Sequence, residues 1–183
     1  MKQTMSKTKQ LTVYICGHSP EAFKSSIVSI KKDLRKTIID LIKRGYRYFA
    51  ISLTRDAGML AGEIVLELRK KYPSIKLICV DINSTYHEMF SKYDSEYTLY
   101  DGNFKKKKKD DYESLYQKLK ESCDVYKNLS SLEQKETIET CREWIINKAS
   151  VLVAVYCAGT KGFIKDTIAL AENLNLIIQI IGG

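Results

Sequence analysis

Three junctions of the same kind recur along this chain: an apolar run ends in a short loop of small or polar residues, and a helical pattern follows. The runs and their loops are residues 11–16 before 17–20, residues 49–52 before 54–58, and residues 151–156 before 158–162. Strands that alternate with helices of ten or more residues form right-handed βαβ units around a parallel sheet. The junctions therefore predict an α/β fold, a Rossmann-like three-layer sandwich with a mainly parallel sheet.

Hydrophobic periodicity extends this prediction over the whole chain. Gly45 and Pro73 are placed to end the first two helices, and Ser131 followed by Gln134 is a capping-box pattern that starts a later one. The predicted strands are 11–16, 46–52, 75–80, 123–129, 151–156 and 176–181. The predicted long helices run from Ser19 to Gly45 and over residues 57–72, 110–121, 131–148 and 163–173.

The 183 residues are enough for one domain with a full hydrophobic core. Residues 1–10 are polar and basic and lack the apolar segment of a signal peptide, so we expect a disordered lead-in to a single domain over 11–183. Residues 83–109 are the least regular part and are expected to form an excursion from the sheet. No apolar run approaches the ~20 residues that span a bilayer, so we expect a cytoplasmic protein without a membrane partner.

The net charge of +8 is concentrated in the N-terminal ten residues and in the lysine run 105–109. Such a charge permits non-specific nucleic-acid binding but does not establish it. The five cysteines are scattered and lack a C-x-x-C pair, which predicts neither a disulfide framework nor a zinc site. We therefore expect no metal and no cofactor.

The carboxyl ends of parallel strands meet at one edge of a sheet, where backbone N–H groups and helix N-termini receive anions. The three loops are therefore predicted to line one ligand site, with no catalytic residue assigned. His18 could donate to a phosphate or a ribose, or be a hydrogen-bonded turn histidine. Arg55 could bind a phosphate or pair with Asp56 at the surface, and Asp81 could accept from ribose hydroxyls or cap a turn. The candidate ligand-binding residues are Gly17, His18, Ser19, Ser52, Thr54, Arg55, Gly58, Asp81, Gly159, Thr160, Lys161 and Gly162.

A set of short motifs also follows in a fixed order along the chain. They are Gly17-His18 after the first strand, Gly45-Tyr46 leading to Ile51-Ser52, residues 61–68 before Tyr72-Pro73, Asp111-Tyr112-Glu113 before a helix, and 151–156 before a glycine-containing loop. In these motifs the chain resembles the YpsA-like members of the SLOG superfamily, the DprA- and LOG-like Rossmann domains, over nearly all of residues 13–181. The resemblance implies a nucleotide or nucleotide-derived ligand, such as ADP-ribose, at the strand carboxyl ends. It adds Glu63 as a candidate ligand contact, because this residue matches a family acid.

Some residues differ from those of the family in the loops that would contact the ligand. Leu53 follows Ser52 where the family has glycine, and its side chain blocks the approach of a phosphate to the main chain. Lys161-Gly162-Phe163 stands where the family has Gly-Gly-Thr. We therefore expect a ligand-binding or ligand-sensing protein rather than an enzyme, and a homo-oligomer.

Two alternative functions stay open. One is a LOG-type nucleoside-monophosphate phosphoribohydrolase, for which Glu63 is the acid that the resemblance offers. The other is DprA-like binding of single-stranded nucleic acid, in which the tyrosine-rich, lysine-ended excursion would supply stacking and charge.

Overall fold

The computed structural model describes residues 7–18, 27–54, 56–81, 108–129 and 134–182, and the side chains of residues 108–111 and 134–138 lie outside this description. In chain order the elements are α1 (Lys7–Gln10), β1 (Thr12–Gly17), α2 (Ile27–Lys43), β2 (Tyr48–Ser52), α3 (Ala57–Leu68), β3 (Lys76–Asp81), α4 (Lys108–Ser122), β4 (Val125–Asn128), α5 (Gln134–Ile146), β5 (Val151–Val155), α6 (Phe163–Asn173) and β6 (Ile177–Ile181).

The six strands form one sheet in the order β4-β3-β2-β1-β5-β6, and every neighbouring pair is parallel. β1 lies at the centre, where Val13 is opposite Phe49 of β2 on one side and Val151 of β5 on the other. The predicted Rossmann-like α/β sandwich with a parallel sheet is therefore confirmed.

Alternate residues of the central strands enter two separate hydrophobic clusters. Val13 and Ile15 join the cluster beneath α2, α3 and α4, whereas Tyr14 and Cys16 join the cluster beneath α5 and α6. Because helices cover both faces, β1 and β5 are buried along their whole length, as parallel strands usually are. The helices that follow β1, β2 and β3 thus lie on one face, and those on either side of β5 lie on the other.

The element bounds differ from the sequence-based ones mainly at helix ends. α6 has its predicted bounds, while α3 ends at Leu68 and α5 ends at Ile146; the predicted start of α5 at Ser131 lies outside the described residues. The predicted helix start at Ser19 and residues 83–107 of the predicted excursion lie outside the described residues, and α4 begins at Lys108. Among the described helices, none combines the length and the apolar character needed to cross a membrane.

The described part of the expected disordered lead-in is helical, which corrects that prediction for residues 7–10. The Thr8 carbonyl accepts from the Thr12 hydroxyl at 2.8 Å and from the Leu11 amide at 3.1 Å. The Ser150 hydroxyl, just before β5, donates to the Gln10 carbonyl at 3.0 Å. These bonds attach α1 to the amino edge of the sheet. Residues 1–6 lie outside the described residues.

Candidate functional site

Strands β2, β3 and β4 are added in turn on one side of β1, and β5 and β6 are added on the other side, so the strand order reverses between β1 and β5. The helix after β1 covers one face and the helix after β5 covers the other, so the adjacent ends of these two strands form a topological switch point. The last pair of the two strands is Gly17 opposite Val155. In open parallel sheets a crevice opens at such a switch point, and ligands bind there.

Gly17 is required here for space. A Cβ atom on this residue would lie 2.5 Å from the Cβ and from the carbonyl oxygen of Val155. Because one of those atoms belongs to the backbone of the paired strand, the contact cannot be relieved by a side-chain rotation. Gly17 therefore sets the close approach of β1 and β5 at the switch point.

His18 links the ends of both strands. Its main-chain N–H donates to the Val155 carbonyl at 2.8 Å, and its Nδ1 accepts from the Cys157 N–H at 3.2 Å. The Thr160 hydroxyl donates to the Cys157 carbonyl at 2.8 Å, so its oxygen is free to accept from Nε2 at 3.3 Å. We therefore assign His18 as the neutral tautomer with its proton on Nε2.

The surroundings of His18 favour this neutral form. Partial burial lowers the pKa of the imidazole below its ordinary value. The ring stacks on Tyr156 with centroids 5.4 Å apart, and the Tyr156 hydroxyl donates to the Thr160 carbonyl at 2.7 Å. His18 thus positions the β5–α6 loop.

We expect His18→Ala to loosen that loop and His18→Asn to preserve much of it. An asparagine Oδ1 can replace Nδ1 as the acceptor for the Cys157 N–H, whereas alanine offers no acceptor. Losing one such bond should speed exchange of the Cys157 amide hydrogen about fivefold. NMR-detected hydrogen exchange measures this rate, and equal rates for Cys157 in the native protein and in His18→Ala would contradict the assignment.

The β5–α6 loop carries an open helix N-terminus. Gly159 and Gly162 have φ angles of +84° and +113°, which disfavour L side chains, and no described atom lies within 4 Å of a Cβ built on either. Gly162 is the N-cap of α6 and makes no side-chain cap bond. The first N–H groups of α6 lack partners within the helix and point toward this loop.

Arg142 reaches the same helix start from α5. Its guanidinium carbon lies 5.2 Å from the centroid of the Phe163 ring, the first residue of α6. Its Nε is buried and has no hydrogen-bond partner in the described structure. A buried donor without an acceptor costs free energy, and an anion beside the α6 N-terminus would add negative charge next to this cation.

The N-terminus of α3, unlike that of α6, is capped by a side chain from the loop that precedes it. Asp56 is the N-cap of α3, and its carboxylate accepts from the Gly58 amide at 2.7 Å and from the Thr54 hydroxyl at 3.0 Å. Ser52 lies 3.0 Å from the Thr54 oxygen and can donate to it. A Cβ on Gly58 would be 2.8 Å from the Asp56 carboxylate. The place where an anion could bind α3 is therefore occupied by Asp56.

Burial raises the pKa of Asp56 to about 7, although hydrogen bonds from Gly58, Thr54 and Met59 lower it in part. Burial also raises the pKa of the neighbouring Cys16 thiol well above its ordinary value, and the Asp56 charge adds to this effect. Cys16 therefore stays a thiol at neutral pH.

Two predicted site residues are engaged elsewhere. Asp81 is buried, and one of its carboxylate oxygens accepts from the hydroxyls of Tyr116 and Tyr126, each at 2.6 Å. Glu63 lies on the outer side of α3, where Lys31 of α2 and Lys118 of α4 approach its carboxylate at 3.4 and 3.3 Å. Asp81 thus joins β3 to α4 and β4, and Glu63 joins three surface helices.

The structure brings one predicted group together at the switch point and places a second at α3. The first group is Gly17, His18, Gly159, Thr160, Lys161 and Gly162, and the second is Ser52, Thr54 and Gly58. Ser19 and Arg55 lie outside the described residues. The sequence-based site omitted Asp56, Arg142 and Tyr156. Of these, only Asp56 had a clear signal, since an aspartate directly before an apolar helical run is a typical N-cap.

A pocket of about 300 Å³ lies on the α5 face, near the amino ends of the strands. Its lining includes Trp144, over whose ring the Lys148 ammonium lies 4.7 Å from the centroid, and Thr8 and Lys9 of α1. None of the candidate site residues lines it. It is therefore separate from the switch point.

Comparisons with known proteins do not add to this geometry. No protein-family model matches the chain, and no curated protein matches it. Within the described ranges, no group of three or more His, Cys, Asp or Glu side chains is placed to hold a metal ion.

Proposed function

We propose that this protein binds a nucleotide or a nucleotide-derived ligand, such as ADP-ribose, without transforming it. The ligand lies at the switch point between β1 and β5, with an anionic group at the N-terminus of α6. The observation that carries the proposal is the contrast between two helix starts: Asp56 caps α3, whereas Gly162 leaves α6 without a side-chain cap in the described structure.

The charges around α6 support an anion at this position. Lys161 is exposed in the loop, Lys165 is exposed in the first turn, and the Arg142 guanidinium lies against Phe163. These cations add to the positive end of the helix dipole, against the single acid Asp166 of the first turn. Phosphate groups bind at helix N-termini for the same reasons.

We propose that the protein is not catalytic because the two acids near the loops, Asp56 and Glu63, are engaged by other groups. Asp56 is held by the α3 amides and by Thr54, so neither its position nor its hydrogen bonds leave it available to a ligand at α6. Glu63 is about 9 Å along α3 from the helix start and is paired with lysines. The resemblance to YpsA-like SLOG proteins supports the ligand class, and this placement of Glu63 gives no support to the hydrolase alternative.

We expect saturating ligand to raise the melting temperature of the protein by roughly 5–10 °C. A thermal-shift panel of mononucleotides, ADP-ribose and cyclic nucleotide derivatives identifies the ligand class. Lys161→Glu should weaken the binding of the best ligand at least about tenfold, because it places a negative charge beside the α6 N-terminus.

The matched control is Lys36→Glu, which makes the same charge change at an exposed position of α2. It should leave the affinity within about twofold of the native value at ~150 mM salt, where distant charges are screened. Equal losses in both variants would indicate general electrostatics, and no thermal shift with any ligand would remove the proposal. Release of free base from AMP would replace it with the hydrolase alternative.

A further inference from the structure

Two cysteines meet where the last turn of α4 packs on β3. Cys79 is a residue of β3 and is completely buried, and Cys123 follows α4 and is partly exposed. Both side chains pack in the hydrophobic cluster beneath α2, α3 and α4. One cysteine of the pair is thus partly accessible from solvent, and the other is buried in the same cluster.

The Leu119 carbonyl contacts both residues. It accepts from the Cys123 amide at 3.0 Å, and the Cys79 Sγ lies 3.8 Å from the same oxygen. The Cys123 Sγ lies 3.3 Å from the next carbonyl along the chain, that of Lys120, so the two thiols contact adjacent carbonyls of the same helical turn. The last turn of α4 therefore brings the two thiols into the same neighbourhood, and proximity of this kind is the first requirement of a disulfide.

We infer that Cys79 and Cys123 form a reversible disulfide when the protein meets a peroxide. In the first step the Cys123 thiolate attacks one peroxide oxygen, the O–O bond breaks, and the departing hydroxide takes a proton to become water. In the second step the Cys79 sulfur attacks the sulfur of the Cys123 sulfenic acid. The S–S bond forms, the S–O bond breaks, and the second water leaves with the Cys79 proton. The two sulfurs supply the two electrons that reduce hydrogen peroxide.

The division of roles follows from the environments of the two thiols. Interaction with the Cys79 thiol lowers the pKa of Cys123, against partial burial and the nearby Asp124 charge, which raise it. The pKa of Cys79 is raised, chiefly by its interaction with Cys123 and by burial. Because the thiolate is the nucleophile, Cys123 reacts with the oxidant and Cys79 resolves the product. This inference does not depend on the proposed ligand.

The disulfide would attach the C-terminal end of α4 to β3. It would close a loop of roughly 40 residues, and cross-links of that span restrict the unfolded chain. We therefore expect the oxidised protein to melt roughly 5–10 °C higher than the reduced protein. An added dithiol should reverse the shift.

The experiment treats the native full-length chain with hydrogen peroxide, alkylates the remaining thiols under denaturing conditions, and maps the peptides by mass spectrometry. Of the five cysteines, three should remain alkylated, and one cross-linked peptide pair should contain Cys79 and Cys123. Cys123→Ser should keep all its thiols at the same peroxide dose. Cys157→Ser, which removes the other partly exposed cysteine, should still form the cross-link.

Several results would overturn the inference. These are five unmodified thiols in the native chain, a cross-link between other cysteines, and over-oxidation of Cys123 while Cys79 stays alkylated. Loss of the cross-link in Cys157→Ser would likewise show that the pair does not react by itself.

Discussion

Asp56→Asn is expected to stabilise the protein at pH 8 by about 2 kcal/mol. The pKa of Asp56 is raised in the folded state to about 7, so folding favours the protonated acid. Stability from this group is complete below about pH 4 and is lost as the pH rises to about 7, a difference of up to about 4 kcal/mol. We halve that figure because the residue keeps some contact with solvent. Asparagine stays neutral, and its oxygen can still cap the Gly58 amide.

Urea denaturation between pH 5 and pH 8 measures this effect as the difference between native protein and variant. Asp124→Asn is a control of opposite sign. Partial burial raises the pKa of Asp124, but the Leu77 amide, Lys76 and Arg69 outweigh burial and lower it. Neutralising Asp124 should therefore destabilise the protein at pH 8. If Asp56→Asn is also destabilising there, folding does not disfavour the charged carboxylate, and the raised pKa of Asp56 is contradicted.

The fold was predictable because the sequence patterns that indicate its strands and helices are local and recur along the chain. Apolar runs mark β1 and β5, and α6 has both of its predicted bounds, Phe163 and Asn173. β4 was the weakest strand prediction, since its side chains are exposed. It joins the sheet through tertiary contacts: the Asp124 amide donates to the Leu77 carbonyl, and the Tyr126 hydroxyl donates to Asp81. Periodicity carries no information about such contacts.

The candidate site was predictable in place but not in detail. The edge follows from the order of strands and helices, whereas the state of each loop depends on side chains that meet across it. His18 binds a loop 139 residues away in the chain, which no local pattern encodes. Arg142 approaches Phe163 from another helix. The Asp56 cap was a local signal, and the interpretation of Asp56 as a partner of Arg55 obscured it.

Gly17→Ala is expected to cost about 3 kcal/mol or more of the free energy of unfolding. The added methyl would lie 2.5 Å from both the Cβ and the carbonyl oxygen of Val155, so β1 and β5 would have to separate. Overpacking of this kind usually costs 1–3 kcal/mol, and about the upper limit applies when the backbone must move. The His18 amide bond to Val155 would weaken with the same movement. Chemical denaturation of the two proteins measures the difference.

Gly45→Ala is the matched control for that variant. Gly45 has a positive φ of 101°, and no described atom lies within 4 Å of a Cβ built on it. Its substitution should cost only the backbone strain of a left-handed residue, about 1 kcal/mol. A Gly17→Ala variant as stable as Gly45→Ala would mean that the two central strands do not need their close approach.

In the proposed function the N-terminus of α6 receives the anion and the N-terminus of α3 does not. A titration of ¹⁵N-labelled protein with ADP-ribose or AMP, followed by amide chemical shifts, distinguishes the two helices. We expect the largest shifts at Lys161 and at the first amides of α6, Phe163–Lys165, while the amide shifts of Gly58 and Met59 stay unchanged. Shifts concentrated at Gly58 and Met59, or no shifts at the start of α6 at saturating ligand, would contradict the proposed function.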